Sequence, residues 1–160
     1  MYKRPYFNDI LVRLSEKRHF IQVLSGPRQS GKTFLINQIL SSLNIPSNYA
    51  LADEPSIRDR IWIEQQWNIA RTKVQELGRA VLVLDEVQKI DGWSETIKYL
   101  WDKDSFSGTE LLLVILGSSP LLMKKGLTES LAGRFEIIGS FVFKLQVLGL
   151  TARNVDGFLI

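Results

Sequence analysis

Hydrophobic positions along this chain follow two rhythms that take turns: short unbroken apolar runs, and stripes recurring at steps of three and four. Ala80–Leu84 and Leu111–Leu116 are uninterrupted and of strand length, as expected for parallel strands covered on both faces. Phe20–Leu24, Asn48–Ala52 and Phe135–Ile138 read as three further strands. Between them lie the stripes. Phe7, Ile10, Leu11 and Leu14 predict a first helix over Asn8–Lys17, with Asn8 or Asp9 as its cap. Ile36, Ile39, Leu40 and Leu43 mark a second over Phe34–Leu43, and Ile63, Trp67, Ala70, Val74 and Leu77 a long third over Ile57–Leu77 that Gly78 ends. Trp93, Ile97, Leu100 and Trp101 give a fourth, and a short helical stretch follows at Pro120–Lys125. Strands alternating with helices predict an α/β fold in three layers: a five-stranded parallel sheet with helices on both faces. Right-handed crossovers leave few arrangements of it, and ligands then bind at the carboxyl edge.

Polar residues gather where that edge should be. After the first strand comes Gly26-Pro27-Arg28-Gln29-Ser30-Gly31-Lys32-Thr33, which satisfies G-x-x-x-x-G-K-[ST] at every constrained position. Chance would produce the pattern in about one chain in 200 of this length, and the strand before it and helix after it make chance rarer still. The glycines let backbone N–H groups close around phosphate oxygens, the Lys32 ammonium reaches the β- and γ-phosphates, and the Thr33 hydroxyl suits Mg²⁺. Phe34, next in the helix, completes the nucleotide-binding segment.

The strand Ala80–Leu84 ends in Asp85-Glu86. Alone, two acids closing a buried strand signal little; with a phosphate loop some fifty residues upstream they suit Mg²⁺-dependent hydrolysis. Asp85 would hold the ion through a coordinated water, and Glu86 would be the general base for the attacking water. Ser118 and Ser119 close the other buried strand, and Ser118 is the preferred sensor of the γ-phosphate. Arg134, just before the fifth strand, could stabilise developing charge in its own subunit or, as a homo-oligomer, in a neighbour's. Arg28 could do the same or lie on the loop's rim. Pro5, Tyr6 and Phe7 are candidates for the base pocket.

Composition narrows the chemistry. Zero cysteines in 160 residues exclude disulfides and thiol chemistry, and one histidine, His19, leaves little for a zinc site. His19 reads as a strand-flanking surface residue, and the four tryptophans as core. No apolar run reaches 18 residues and the start lacks a secretory core, which points to a soluble cytoplasmic protein with no membrane partner. A net charge of +3 permits contact with nucleic acid without supporting it.

Taken together, Gly-Pro-Arg-Gln-Ser-Gly-Lys-Thr, Val-Leu-Asp-Glu-Val-Gln-Lys-Ile-Asp-Gly-Trp, Leu-Gly-Ser-Ser and Leu-Ala-Gly-Arg-Phe resemble a prokaryotic AAA-like family within the AAA+ superfamily of P-loop ATPases. The resemblance covers residues 1–138. It implies an AAA-type sheet order, ATP/ADP with Mg²⁺ as ligands, oligomers and an unidentified protein partner. It makes Lys32 and Thr33 the Walker A residues, Asp85 and Glu86 the Walker B pair, Ser118 or Ser119 the first sensor and Arg134 the arginine finger. Asp53 matches an acid of the family without a secure role. Residues 139–160 match nothing in it and read as an atypical tail, where the family continues into a helical lid. Two functions fit: an ATPase, or a nucleotide-gated binding or signalling module with negligible turnover. A small-molecule kinase, a third possibility, has no need of Glu86 beside Asp85.

Overall fold

A computed structural model describes residues 6–27, 31–52 and 58–139. In chain order they form α1 (Phe7–Ser15), β1 (Ile21–Ser25), α2 (Lys32–Ser42), β2 (Ser47–Leu51), α3 (Arg60–Leu77) and β3 (Ala80–Asp85). A short 3₁₀ turn (Val87–Lys89) follows, then α4 (Trp93–Ser107), β4 (Leu111–Gly117), α5 (Pro120–Glu129) and β5 (Phe135–Gly139). The strands make one sheet in the order β2-β3-β4-β1-β5 with every pair parallel.

Alternation along the strands divides the core in two. Ala80, Leu82 and Leu84 of β3, with Leu111, Leu113 and Ile115 of β4, face α3, α4 and α5, meeting Ile63, Trp67, Ile97, Trp101 and Leu127. Val81 and Val83, with Leu112, Val114 and Leu116, face α1 and α2, meeting Phe7, Ile10, Leu35 and Ile36. The two central strands are buried along their whole length, which is why they read as unbroken apolar runs rather than alternating ones. All four tryptophans are core residues, and His19 is exposed against Phe20.

Boundaries differ from the expected ones where polar residues decide them. The long helix starts at Arg60 rather than Ile57, because the Asp59 carboxylate caps it by accepting from the Trp62 N–H at 3.1 Å. α4 runs to Ser107, well past Trp101. Its last turns carry a charged residue on the buried face. Asp104 accepts from Trp67 Nε1 at 2.7 Å and from Arg71 Nε at 2.8 Å, so the stripe is continued by a carboxylate and the hydrophobic pattern stops short of the helix end. α5 likewise extends to Glu129, where Leu127 still faces the core.

Strand order places the site. β1 is flanked by β4 and β5, and the crossover through α2 carries the chain past β4 and β3 to the far edge at β2. The ends of β1, β3 and β4 therefore open side by side at the sheet's carboxyl edge, the crevice where parallel α/β sheets take ligands.

Candidate phosphate and metal site

β1 ends at buried Ser25, and the Gly26 N–H donates to the Gly117 carbonyl at 3.3 Å, which ties the start of the loop to the end of β4. Gly31 is the N-cap of α2 at φ 85, left-handed backbone that a residue with Cβ adopts only under strain. Lys32, the first residue of α2, turns its ammonium back to donate to the carbonyls of Gly26 and Pro27, each at 2.8 Å. The cation thus spans the loop from its exit to its entrance. No acid lies in the first turn of α2 to compete with an anion at the helix's positive end. Arg28, Gln29 and Ser30 lie outside the described residues.

Thr33 Oγ1 donates to Asp85 Oδ2 at 3.4 Å, joining the loop to the acidic end of β3. The same Oδ2 accepts from the Tyr49 hydroxyl of β2. Tyr49 pairs in register with Val83, two residues before Asp85, so its ring shares a face with the carboxylate it reaches. Burial raises the Asp85 carboxyl above its ordinary value, partly offset by the Tyr49 bond. Burial also raises the Tyr49 phenol, and the bond to Asp85 raises it further, keeping it a neutral donor. Thr33 and Asp85 are hard oxygen donors side by side, the small protein share that Mg²⁺ takes when phosphate and water supply the rest.

Glu86 follows at φ 61, one of two non-glycine residues with positive φ among those described. Its N–H donates to the Leu116 carbonyl at 2.8 Å, holding the turn against β4. The side chain is buried. Gln88 Nε2 donates to its Oε2 at 2.6 Å, and the Lys89 ammonium lies 3.8 Å from the same oxygen. Ser118 comes one residue beyond Gly117, beside the loop's entrance, and Ser119 opens α5 as its N-cap. Lys32, Thr33, Asp85, Glu86 and Ser118 therefore meet at one edge.

Other expected residues go elsewhere. Arg134 precedes β5 at the amino edge, where the Ile21 N–H donates to its carbonyl at 2.8 Å. Its guanidinium grips Asp102 of α4 through Nε at 2.7 Å and Nη2 at 2.9 Å. The length of β1, roughly 15 Å, separates it from the loop of its own chain, so the same-subunit role is not available to it. Phe34 is exposed in the first turn of α2. Phe7 is taken into the core beside Leu24 and Leu35, and Tyr6 is exposed in left-handed backbone, so Phe7 offers no stacking face to a base. Pro5, Asp53 and residues 140–160, nearly all of the segment expected to be an atypical tail, lie outside the described residues.

Tyr49 and Gln88 were not expected at the site. A single tyrosine in a short strand carries no motif, though its register against β3 marks it once the pairing is known. Nothing in the hydrophobic pattern distinguishes Gln88.

The parallel order, the loop between β1 and α2, and the acids ending β3 define the fold class of P-loop NTPase domains. Residues 18–151 match a family described as an AAA domain, and the chain belongs to that family. An uncharacterized protein of Haemophilus influenzae (strain ATCC 51907 / DSM 11121 / KW20 / Rd) is 28% identical over 146 residues, which cover 86% of this chain and 34% of the relative. The chain thus spans about a third of the length of the curated relative it matches. No helix among the described residues is long and apolar enough to cross a membrane.

Proposed function

We propose that this protein binds ATP with Mg²⁺ at the carboxyl edge and hydrolyses it to ADP and phosphate. The observation that carries the proposal is the approach of Thr33 Oγ1 to Asp85 Oδ2, 3.4 Å apart although the two residues lie 52 positions apart in the chain. It supports one site made of two halves, a loop for phosphate and an acid for the ion.

The division of labour follows from the chemistry of each group. Gly26 and Gly31 keep the loop's backbone free to wrap phosphate, and Lys32, anchored on two loop carbonyls, adds the positive charge. Thr33 and Asp85 would hold Mg²⁺, which when bound neutralises charge building on the phosphate oxygens. Glu86 takes the proton of the water whose oxygen bonds to the γ-phosphorus as the bond to the leaving ADP breaks. Ser118, one residue beyond the end of β4, hydrogen-bonds the γ-phosphate or that water.

Calorimetry and phosphate release test this together. Lys32→Ala should weaken ATP binding at least about 100-fold, the loss of a charge-assisted contact in a partly dry site. Glu86→Gln should keep binding and lower turnover about 100-fold or more, the range for a positioned general base. Undiminished binding by the first variant overturns the loop assignment, and parental turnover by the second overturns the mechanism.

One observation favours a second reading, a nucleotide-gated module with negligible turnover. Arg134 is bound to Asp102 at the opposite edge, so a single chain receives no help from it. Micromolar binding with no phosphate release by the isolated chain supports that reading. Release that rises faster than linearly with protein concentration supports Arg134 acting in a neighbouring copy.

A further inference from the structure

We infer that Gln88 is a positioning residue for Glu86, fixing one carboxylate oxygen so that the other faces the attacking water. This rests on the hydrolytic reading above and extends it to a residue outside the loop and the acid pair. Gln88 is buried in the 3₁₀ turn after β3, and its Nε2 donates to Glu86 Oε2 at 2.6 Å. Its other amide atom, Oε1, is buried without a hydrogen-bond partner among the described residues.

That asymmetry carries the argument. An unmet acceptor in a dry site is a cost, and an apolar side chain of equal length would avoid it. What glutamine supplies and such a side chain cannot is the N–H aimed at Glu86. Donation to Oε2 leaves Oε1 of the carboxylate for water, with its direction set. The Glu86 backbone, left-handed at φ 61 and tied to the Leu116 carbonyl, fixes where the side chain begins. Gln88 fixes where it ends.

The same amide reaches the end of β4, one residue before Ser118. A Cβ built on Gly117 would stand 3.0 Å from Gln88 Oε1 and 2.9 Å from Met123 Sδ. Glycine at the end of β4 is therefore the space in which the Gln88 amide sits. A methyl there presses on two flexible side-chain ends rather than on backbone, so Gly117→Ala displaces the amide while leaving the fold room to adjust.

Single-turnover hydrolysis by the full chain tests the inference, with MgATP affinity and thermal midpoint measured on the same samples. Gln88→Met keeps length and burial but has no donor. It should lower the hydrolysis rate about 10- to 100-fold, the penalty for a misdirected catalytic group, with affinity within about twofold of the parent. In the Glu86→Gln background the same change should have no further effect. A parental rate in Gln88→Met, or a loss that multiplies with that of Glu86→Gln, overturns the inference while the hydrolytic reading stands. A parent protein without turnover overturns both. Should Gln88→Met fail to fold, Gly117→Ala carries the test, with the same rate loss expected and the same disappearance in the Glu86→Gln background.

Discussion

At the scale of single residues, the site is built on neutral donors serving buried acids. Asp85 is met by the Tyr49 and Thr33 hydroxyls and Glu86 by the Gln88 amide, while the Lys32 ammonium acts on Asp85 through its charge and Lys89 lies 3.8 Å from Glu86. Neutral donors orient a carboxylate without adding a formal charge beside it. This arrangement predicts the behaviour of Tyr49→Phe. Loss of the hydroxyl should lower the stability of the nucleotide-free protein by about 1–2 kcal/mol, the cost of removing a hydrogen bond to a buried charge at a partly exposed ring. Urea denaturation reads it as a lower midpoint with an unchanged slope. The same variant should show a steeper dependence of ATP affinity on Mg²⁺, because the ion no longer displaces the hydroxyl from Asp85. A midpoint equal to the parent's would show that Tyr49 does not support the carboxylate.

At the scale of elements, what tracked hydrophobic periodicity was legible in the sequence, and what rested on paired polar groups was not. β3 and β4 were readable because both faces of each are covered, and α3 because five apolar residues recur on one side of it. The end of α4 was lost because Asp104 occupies a core position, and no periodicity expects a carboxylate there. Asp104 works by holding α3 and α4 together through Trp67 and Arg71, with its own side chain 3% exposed and that of Arg71 20% exposed. Asp104→Ala leaves a half-buried guanidinium and a buried indole N–H without their acceptor, and should cost about 3 kcal/mol, the lower end of the range for breaking a buried pair. A loss below about 1 kcal/mol would place the pair with surface ion pairs instead. The site divides the same way. Lys32, Thr33, Asp85 and Glu86 stand in strings whose spelling betrays their roles, whereas Tyr49 enters by register, and Gln88, two residues after Glu86 in one of those strings, by a turn that only the folded chain defines.

At the scale of the whole molecule, the sheet has two edges with different equipment. The carboxyl edge carries the loop and the acids. The amino edge carries Arg134 and Asp102, whose side chains are 30% and 44% exposed. The hydrogen bonds from Arg134 hold the Asp102 carboxyl below its ordinary value of 3.8. A depressed folded value means the pair stabilises the protein above the unfolded value and stops doing so as pH falls through the folded one. Asp102→Asn should therefore lower stability at pH 7 by less than about 1 kcal/mol, given the exposure of both partners, and the difference from the parent should shrink as pH drops below about 4. Thermal melts at pH 7 and pH 3 check it, and a difference that grows toward acid would reverse the assignment.

The placement of Arg134 also sets rules for assembly. If it completes a neighbour's site, the surface that gives and the surface that receives are different patches on different edges. A contact using one of each is heterologous, and such contacts repeat until the last copy returns to the first or the chain of copies stays open. An assembly joined this way has polarity: one terminal copy offers an unused arginine, and the other has a site still waiting for one.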